Sequence, residues 1–357
     1  MLPFVSVILP VRNERSMLPQ LLDQLLAQNY PRDCYEILVV DGRSTDGTPD
    51  LIRRRFSSRS TPVRILDNPG ILLSAGRNVG LRAARGDMVL FLNGHCVVPS
   101  RNLIEDSVAL LERTGAGCLC RPQPLLAPAA TDTGEVIAQA RASWLGRDPL
   151  HCDLTHAGFI DPVRGGATYR RDVFERVGLY DESFDACEDV DLNTRVRRAG
   201  IIAFADPRLT VRDQPRAHVG QLFRDMLAHG RARLRLMSRH RGCFSATWLA
   251  PLALLLLLPV VAFAWWLLPT VAATILTLPL AAFAVAVVLA SLQLSARCGA
   301  RYAWRAPWIF SAIWFGLGSG LLLELLHPAP LRCPLECLAP RDAREEPEMA
   351  ASSRRAA

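Results

Sequence analysis

The sequence predicts an α/β protein, a mostly parallel sheet with helices on both faces, followed by an α-helical transmembrane region. Two observations carry that prediction. Between Phe4 and Arg113, short apolar runs alternate four times with segments of helical period, the pattern of parallel strands joined by covering helices. Beyond residue 246, three long and almost uncharged apolar stretches follow. About 20 helical residues suffice to cross a hydrocarbon core of about 30 Å.

Phe4–Pro10 (FVSVILP) is rich in β-formers and ends on a proline, so it reads as the first strand. Leu18, Leu21, Leu22, Leu25 and Leu26 then recur at helical spacing, and Asn29-Tyr30-Pro31 stops that helix. Glu36–Asp41 (EILVVD) is a second strand with GRSTDGT as its terminal loop, and Asp50–Phe56 a second helix. Val63–Leu66 is a short third strand. Ser74–Ala84 is a helix with Ser74 as its expected cap. Met88–Leu92 is a fourth strand that breaks at Asn93-Gly94-His95, and a helix is expected from Pro99 to about Arg113. Strands this apolar suit burial on both faces. In such sheets ligands sit beyond the carboxyl ends of the strands. The loops at Pro10–Glu14, Asp41–Thr48 and Asn93–His95, with Arg77-Asn78 nearby, are therefore expected to surround one polar ligand. From Ala116 to about Pro162, Gly, Pro, Thr and Asp are frequent and no elements are assigned. Asp172–Val177 and Glu188–Arg198 read as helices, the second ended by Gly200, and Ile201–Phe204 as a late strand.

The 357 residues carry 41 basic and 34 acidic side chains, a net charge of +7, and every basic one is arginine. Arginine suits bidentate phosphate contacts, but a bias spread over the whole chain locates no site, and no nucleic-acid partner is expected. The ten cysteines form no C-x-x-C pair, which argues against a zinc site. Scattered single thiols fit a reduced compartment. The first residues lack the basic and apolar regions of a signal peptide, so the N-terminal part is expected to stay on the side where it is made.

His218–His240 places Val219, Leu222, Phe223, Met226, Leu227, Leu234 and Met237 on one helical face, with arginines at 224, 231, 233, 235, 239 and 241. Two expectations stand. The helix lies on an anionic membrane surface, where each arginine contributes about 1 kcal/mol, or it packs on the soluble domain. Thr247–Leu268, Val271–Leu294 and Pro307–Leu326 read as three spans. Arginines precede the first span and lie between the second and third (Arg297, Arg301, Arg305), whereas the connection at Pro269 is uncharged. By the positive-inside rule the N-terminal domain is cytoplasmic at an inner membrane. Three crossings then put the tail outside, where Cys333 and Cys337 could pair. The expected division is a soluble domain over 1–215, a basic amphipathic helix over 216–245, a membrane domain of three helices over 246–327 and a disordered tail over 328–357.

The order VSVILPVRNE, EILVVDGRSTDGT, AGRNVGLRAARGDMVLFLNGH, RGGATYRRDVFERVGLYDESF and EDVDLNTRVRRAG resembles the inverting glycosyltransferases of family 2, which have the GT-A fold, a Rossmann-like sheet. The resemblance covers about residues 4–205. Each motif alone is weak, and five in order are specific. Within the family the chain is most similar to membrane enzymes of exopolysaccharide assembly, of the succinoglycan type.

The resemblance implies a nucleotide diphosphate sugar donor, most often a UDP-sugar, and a membrane lipid-linked acceptor. Pro10, Arg12 and Glu14 match the first nucleotide-binding loop. Asp41 matches the carboxylate that reads base or ribose, and Arg77 and Asn78 match a segment closing over the nucleotide. Asp46, followed by Gly47, is read as a turn residue. Asn93-Gly94-His95 stands where the family usually has Asp-x-Asp, whose acids touch the ribose and hold a divalent ion. With both acids missing, three readings are open. His95 holds Mn²⁺, or less suitably Mg²⁺, with help from substrate oxygens; arginines neutralise the leaving diphosphate instead; or the protein is degenerate and serves as a binding or assembly subunit. Glu188-Asp189 matches the general-base motif, with Asp189 the base that takes the acceptor hydroxyl's proton. Asp191 would point elsewhere on a helix. Gly165, Gly166 and Ala167 match a loop lining donor sugar and acceptor, with Arg195 after the base. The Q-x-x-R-W signature of processive synthases is absent, which points to the addition of one sugar per acceptor.

Overall fold

The computed structural model describes residues 2–56, 63–125, 131–148, 156–214, 218–241, 245–330 and 336–338. In chain order its strands are β1 (Val5–Val11), β2 (Tyr35–Asp41), β3 (Val63–Asp67), β4 (Met88–Phe91), β5 (Cys96–Val97), β6 (Cys118–Cys120), β7 (Gly158–Ile160), β8 (Gly166–Arg170), β9 (Ala203–Ala205) and β10 (Arg212–Asp213). Its helices are α1 (Leu18–Leu26), α2 (Thr48–Phe56), α3 (Leu73–Ala83), α4 (Leu103–Thr114), α5 (Asp132–Ala142), α6 (Asp172–Val177), α7 (Glu188–Arg198), α8 (Val219–Arg239), α9 (Ala250–Leu267), α10 (Thr270–Cys298) and α11 (Tyr302–Leu326).

Eight strands form one sheet in the order β3-β2-β1-β4-β8-β6-β9-β7, and β5 pairs β10 in a separate ribbon. The first four strands are parallel. The other half is mixed: β8 runs antiparallel to β4 and β6, β9 is parallel to β6, and β7 is antiparallel to β9. Alternation along β1 splits the interior. Val5, Val7, Leu9 and Val11 pack with α1 and α4 on one face. Ile8 packs with Leu81 of α3, Phe174 of α6 and Leu192 of α7 on the other. Because β8 is antiparallel, its first residues lie at the same sheet edge as the last residues of β1, β2, β4 and β6. Glycines 165 and 166 are thus delivered beside Arg121, in a cavity that Asn93 also lines.

Two local expectations are corrected. Ser74 is not the cap of α3: Leu72 occupies that position and makes no side-chain cap bond, while the Ser74 hydroxyl donates to the Phe184 carbonyl 3.0 Å away. Within the unassigned stretch after Ala116, the described residues contain β6, α5 and β7. Three-residue strands are too short to leave a period.

α9, α10 and α11 are long and apolar enough to cross a membrane. α8 packs against α11, with Leu222 and Met226 in one core with Phe310, Ile313 and Leu317. The two backbones almost touch: a Cβ on Gly320 would lie 2.0 Å from the Leu227 carbonyl oxygen, and one on Gly230 would lie 2.2 Å from that of Leu317. The pairs Phe223–Gly316, Leu227–Gly320 and Arg231–Glu324 advance together, so the helices run parallel. Most of the charge on α8 is spent inside the protein. Arg231 and Arg235 pair with Glu324 at 3.0 and 2.7 Å, Arg233 with Asp148 at 3.0 Å, and Arg239 with Asp181 and Asp191.

The tail also departs from expectation. Glu336 pairs with Arg82 and accepts from the Leu179 amide, and the Leu338 amide donates to the Phe174 carbonyl. Leu338 is buried in the sheet domain's own core. Residues 336–338 therefore lie on the same side of any membrane as the sheet domain, not opposite it. Cys337 is a free, exposed thiol; its expected partner Cys333, like residues 339–357, lies outside the described residues. Topology reporters fused to the two ends of the chain should read out on the same side of the membrane. Readout on opposite sides would contradict the packing of Leu338.

Candidate active site

A cavity of about 410 Å³ opens at the carboxyl edge of the sheet, lined by Asn93, Arg121, Gly165, Gly166, Ala167 and Asp189, among others. Beyond these it is bounded by α5, α8 and Trp248.

Gly166 must be glycine, because a Cβ there would lie 2.5 Å from Asn193 Oδ1 and 2.8 Å from Cys118 Sγ. Gly165 adopts φ 134°, open to glycine almost alone. The two adjacent acids at the start of α7 have different surroundings. Asp189 faces the cavity, its Oδ1 accepting from the Val190 amide at 2.9 Å. Glu188 is buried and pairs with Arg77 at 2.9 Å. Burial raises the Glu188 pKa above the usual carboxylate value, against the opposing pull of Arg77. Arg77 also stacks over the rings of Tyr180 and Phe91, 5.1 and 5.6 Å from their centroids.

Asp191, two residues further along the helix, is fully buried on the opposite face. It takes hydrogen bonds from Arg195 at 2.9 Å and His240 at 2.8 Å and pairs with Arg239 at 3.2 Å. Arg195 was expected near donor or acceptor. Four residues after Asp191, it shares that rear face instead and donates to the carbonyls of Gly178 and Leu179. Asn78, expected on a nucleotide, is likewise committed to the fold. It donates to the Tyr180 carbonyl and to Glu182 and accepts from the Tyr180 amide, each at 2.9 Å, because one helical step turns it away from Arg77.

Of the residues expected on the nucleotide, Pro10, Arg12, Glu14 and Asp41 lie at or beyond the ends of β1 and β2 and do not line the cavity. Pro10 is buried within β1, and Arg12 is exposed just beyond it. The loops after β1 and β2 are tied together: Asn13 accepts from the Thr45 amide, and Asp46 accepts from the amides of Arg15 and Thr48. Asp46 thus serves the loop and the start of α2. Asp41, at the end of β2, accepts from the Ser44 amide with one oxygen, while its buried Oδ1 has no partner. Such an oxygen is suited to an N–H or O–H donor on a ligand.

His95 lies between two carboxylates, with Nδ1 2.9 Å from Glu14 Oε1 and Nε2 3.1 Å from Asp213 Oδ1. Burial alone would lower its pKa, but hydrogen bonds to Asp213 and Glu14, with their charges, push it up to about 10. In this arrangement both ring nitrogens face carboxylate oxygens. Among the described residues no group of three or more His, Cys, Asp or Glu side chains is arranged to hold a metal ion. As folded, the Asn93–His95 segment does not fit the divalent ion expected there, and no step is routed through one.

Two site residues escaped the sequence. Asp213 reaches His95 from β10, 118 positions downstream, with no surrounding motif. Arg121 follows β6, in the stretch where no pattern was visible. It is 6% exposed, donates through Nη2 to the Phe91 carbonyl at 2.7 Å, and leaves Nε and Nη1 without partners. Burying an uncompensated guanidinium is costly, and burial pulls its pKa down. An anion entering the cavity would relieve that cost.

Residues 6–178 match the family model for glycosyl transferase family 2. The chain is 29% identical over 252 residues to the succinoglycan biosynthesis protein ExoA of Rhizobium meliloti, covering 69% of this chain and 74% of that protein. It is 23% identical over 274 residues to a dolichyl N-acetyl-α-D-glucosaminyl phosphate 3-β-D-2,3-diacetamido-2,3-dideoxy-β-D-glucuronosyltransferase of Methanococcus voltae, covering 71% and 80%. In fold it is similar to the mannosyltransferase PcManGT of Pyrobaculum calidifontis, solved with GDP-Man and Mn²⁺, at a TM-score of 0.60 and 20% identity over 92% of this chain and 88% of that one.

The Asp191 node makes a pH prediction. Its carboxyl is buried, which would raise its pKa, but His240, Arg195 and Arg239 hold it below the usual value. A depressed folded-state pKa gives stabilisation that is present above about pH 4 and lost as pH falls through the lowered value. Asp191→Asn should cost about 3–5 kcal/mol of stability at neutral pH. It should also flatten the acid limb of the unfolding curve, as followed by thermal denaturation across pH 3–7.

Proposed function

From the premise that this chain is a family 2 glycosyltransferase, we propose that it transfers one sugar, with inversion, from a nucleotide diphosphate sugar, a UDP-sugar, to a lipid-linked acceptor. The setting is exopolysaccharide or cell-surface glycan synthesis at the inner membrane. The observation that carries this reading is the presence of Asp189 and Arg121 in one cavity: a carboxylate open to it and a buried guanidinium whose Nε and Nη1 have no partner. Asp189 takes the proton of an acceptor hydroxyl as that oxygen attacks the anomeric carbon. The bond from that carbon to the diphosphate breaks on the opposite side, which inverts the configuration. Arg121 meets the negative charge that develops on the leaving nucleoside diphosphate. Asp41 Oδ1 accepts from the base or ribose, with Pro10 and Arg12 beside it. Asn93 contributes a neutral amide toward the donor, and Gly165, Gly166 and Ala167 admit the sugar. Glu188 holds Arg77 rather than touching substrate. The cytoplasmic placement of the domain rests on the arginines flanking the apolar helices.

One observation favours a second reading. With His95 locked between Glu14 and Asp213 and no acid at position 93, a non-catalytic binding or assembly subunit would keep the same fold. One experiment separates the two. Purified full-length protein is supplied with a panel of radiolabelled nucleotide sugars and membrane lipid extract, with and without Mn²⁺ or Mg²⁺. Transfer should occur, and Asp189→Asn should reduce it by about 10²–10⁴-fold while leaving UDP affinity unchanged. No transfer by either form, with UDP still bound, would favour the assembly subunit.

Asp41→Asn supplies a separate check on the donor site. An amide presents an N–H₂ group where the carboxylate presents an acceptor, so UDP affinity by calorimetry should fall about tenfold or more. Unchanged affinity would place the nucleoside elsewhere.

A further inference from the structure

The cavity has a second charged wall that sugar transfer from the donor does not use. Arg141 of α5 and Arg164 line it, and neither has an ion-pair partner among the described residues. His229 and Arg233 of α8 line the same side. Arg233 pairs with Asp148 at 3.0 Å and stacks over Trp248, 5.0 Å from its ring centroid. His229 Nδ1 lies 2.7 Å from the Asp225 carbonyl oxygen, to which it donates, so the Nε2 of the neutral ring is left as an acceptor.

This wall is built directly on the apolar helices. The Trp314 indole of α11 donates to the Leu145 carbonyl at 3.0 Å, and the Trp144 indole donates to Gln293 of α10 at 3.1 Å. Arg301 and Arg305, at the start of α11, pair with Asp132 and Glu135 of α5. Trp144, Trp304 and Trp308 are exposed, as expected of indoles at the depth of lipid headgroups. The cavity therefore holds Asp189 together with a wall of unpaired positive charge that is joined to the apolar helices.

We infer that Arg141, supported by Arg164 and Arg233, binds the phosphate of a phosphorylated lipid acceptor, with His229 Nε2 accepting from a hydroxyl of that acceptor. The inference rests on the proposed transfer to a lipid-linked acceptor and names the group that is recognised. Guanidinium–phosphate contacts are charge-assisted and can be bidentate, so they distinguish a lipid phosphate from the corresponding alcohol. Arg121, against the sheet, is left for the donor's diphosphate, which keeps the two anions of the reaction on separate cations.

The test uses the full chain in nanodiscs of neutral phosphatidylcholine, with binding of a short-chain polyprenyl phosphate measured against the matching polyprenol. The phosphate should bind at least about tenfold more tightly. Arg141→Ala should erase that margin, and Arg141→Lys should restore part of it. UDP binding, measured on each variant, should stay unchanged and report that the sheet domain is folded. Equal binding of phosphate and alcohol, or an undiminished margin in Arg141→Ala, would overturn the assignment. Displacement by inorganic phosphate at equal concentration would assign the wall to free phosphate, and displacement by phosphatidylglycerol at equal mole fraction would reduce it to a general anionic surface. Either result overturns it. Failure of the unaltered protein to bind UDP would instead sink the donor half of the proposed function and leave this site standing.

Discussion

A buried carboxylate with two arginines and a histidine around it holds the two halves of this protein together. Asp191 projects from the back of α7 into Arg195 of its own helix and Arg239 and His240 at the end of α8. A single buried charge could not stand there alone, and its partners could not face one another without it. The front of the same helix carries Asp189 into the cavity. The position of the proposed base is therefore fixed from behind by the helix that packs along α11. Arg235 extends the connection from Glu324 of α11 to Asp185, in the loop leading to α7. The proposed base and the long apolar helices share one set of ion pairs.

The same division of labour recurs across the site. Where two conspicuous residues are adjacent in sequence, the fold turns one to the cavity and one to the frame. Asp189 is open and Glu188 is paired; Arg77 lines the cavity while Asn78 fastens the loop at Tyr180. The helical step of about 100° per residue produces this split. Side chains splayed by that angle seldom share one partner, so a motif of two conspicuous residues can contribute one to each role.

Much of the framework was legible from local pattern. The strands ending at Pro10 and Asp41, the leucine-spaced α1, and the helices Asp172–Val177 and Glu188–Arg198 are long or regular enough for their period to show, and the structure places them within a residue or two. Legibility ended where structure depends on distant partners. β6 is three residues long and is a strand because β8 and β9 flank it, so Arg121 carried no signal. Asp213 meets His95 through a two-residue ribbon, and nothing near either residue announces the other. The arginines of α8 looked like charges for a lipid surface because their acids lie as far away as Asp148, Asp181 and Glu324. Amphipathic pattern gives the direction of a charged face, not what it faces.

The parallel contact of α8 with α11 has a geometric consequence. Two neighbours that point the same way can be joined only by chain that travels back as far as it went out. α9 and α10 make that return, from the end of α8 beside Glu324 to the start of α11 beside α5. The apolar helices thus leave the sheet domain and come back to it, and residues 336–338 close on that domain's own core.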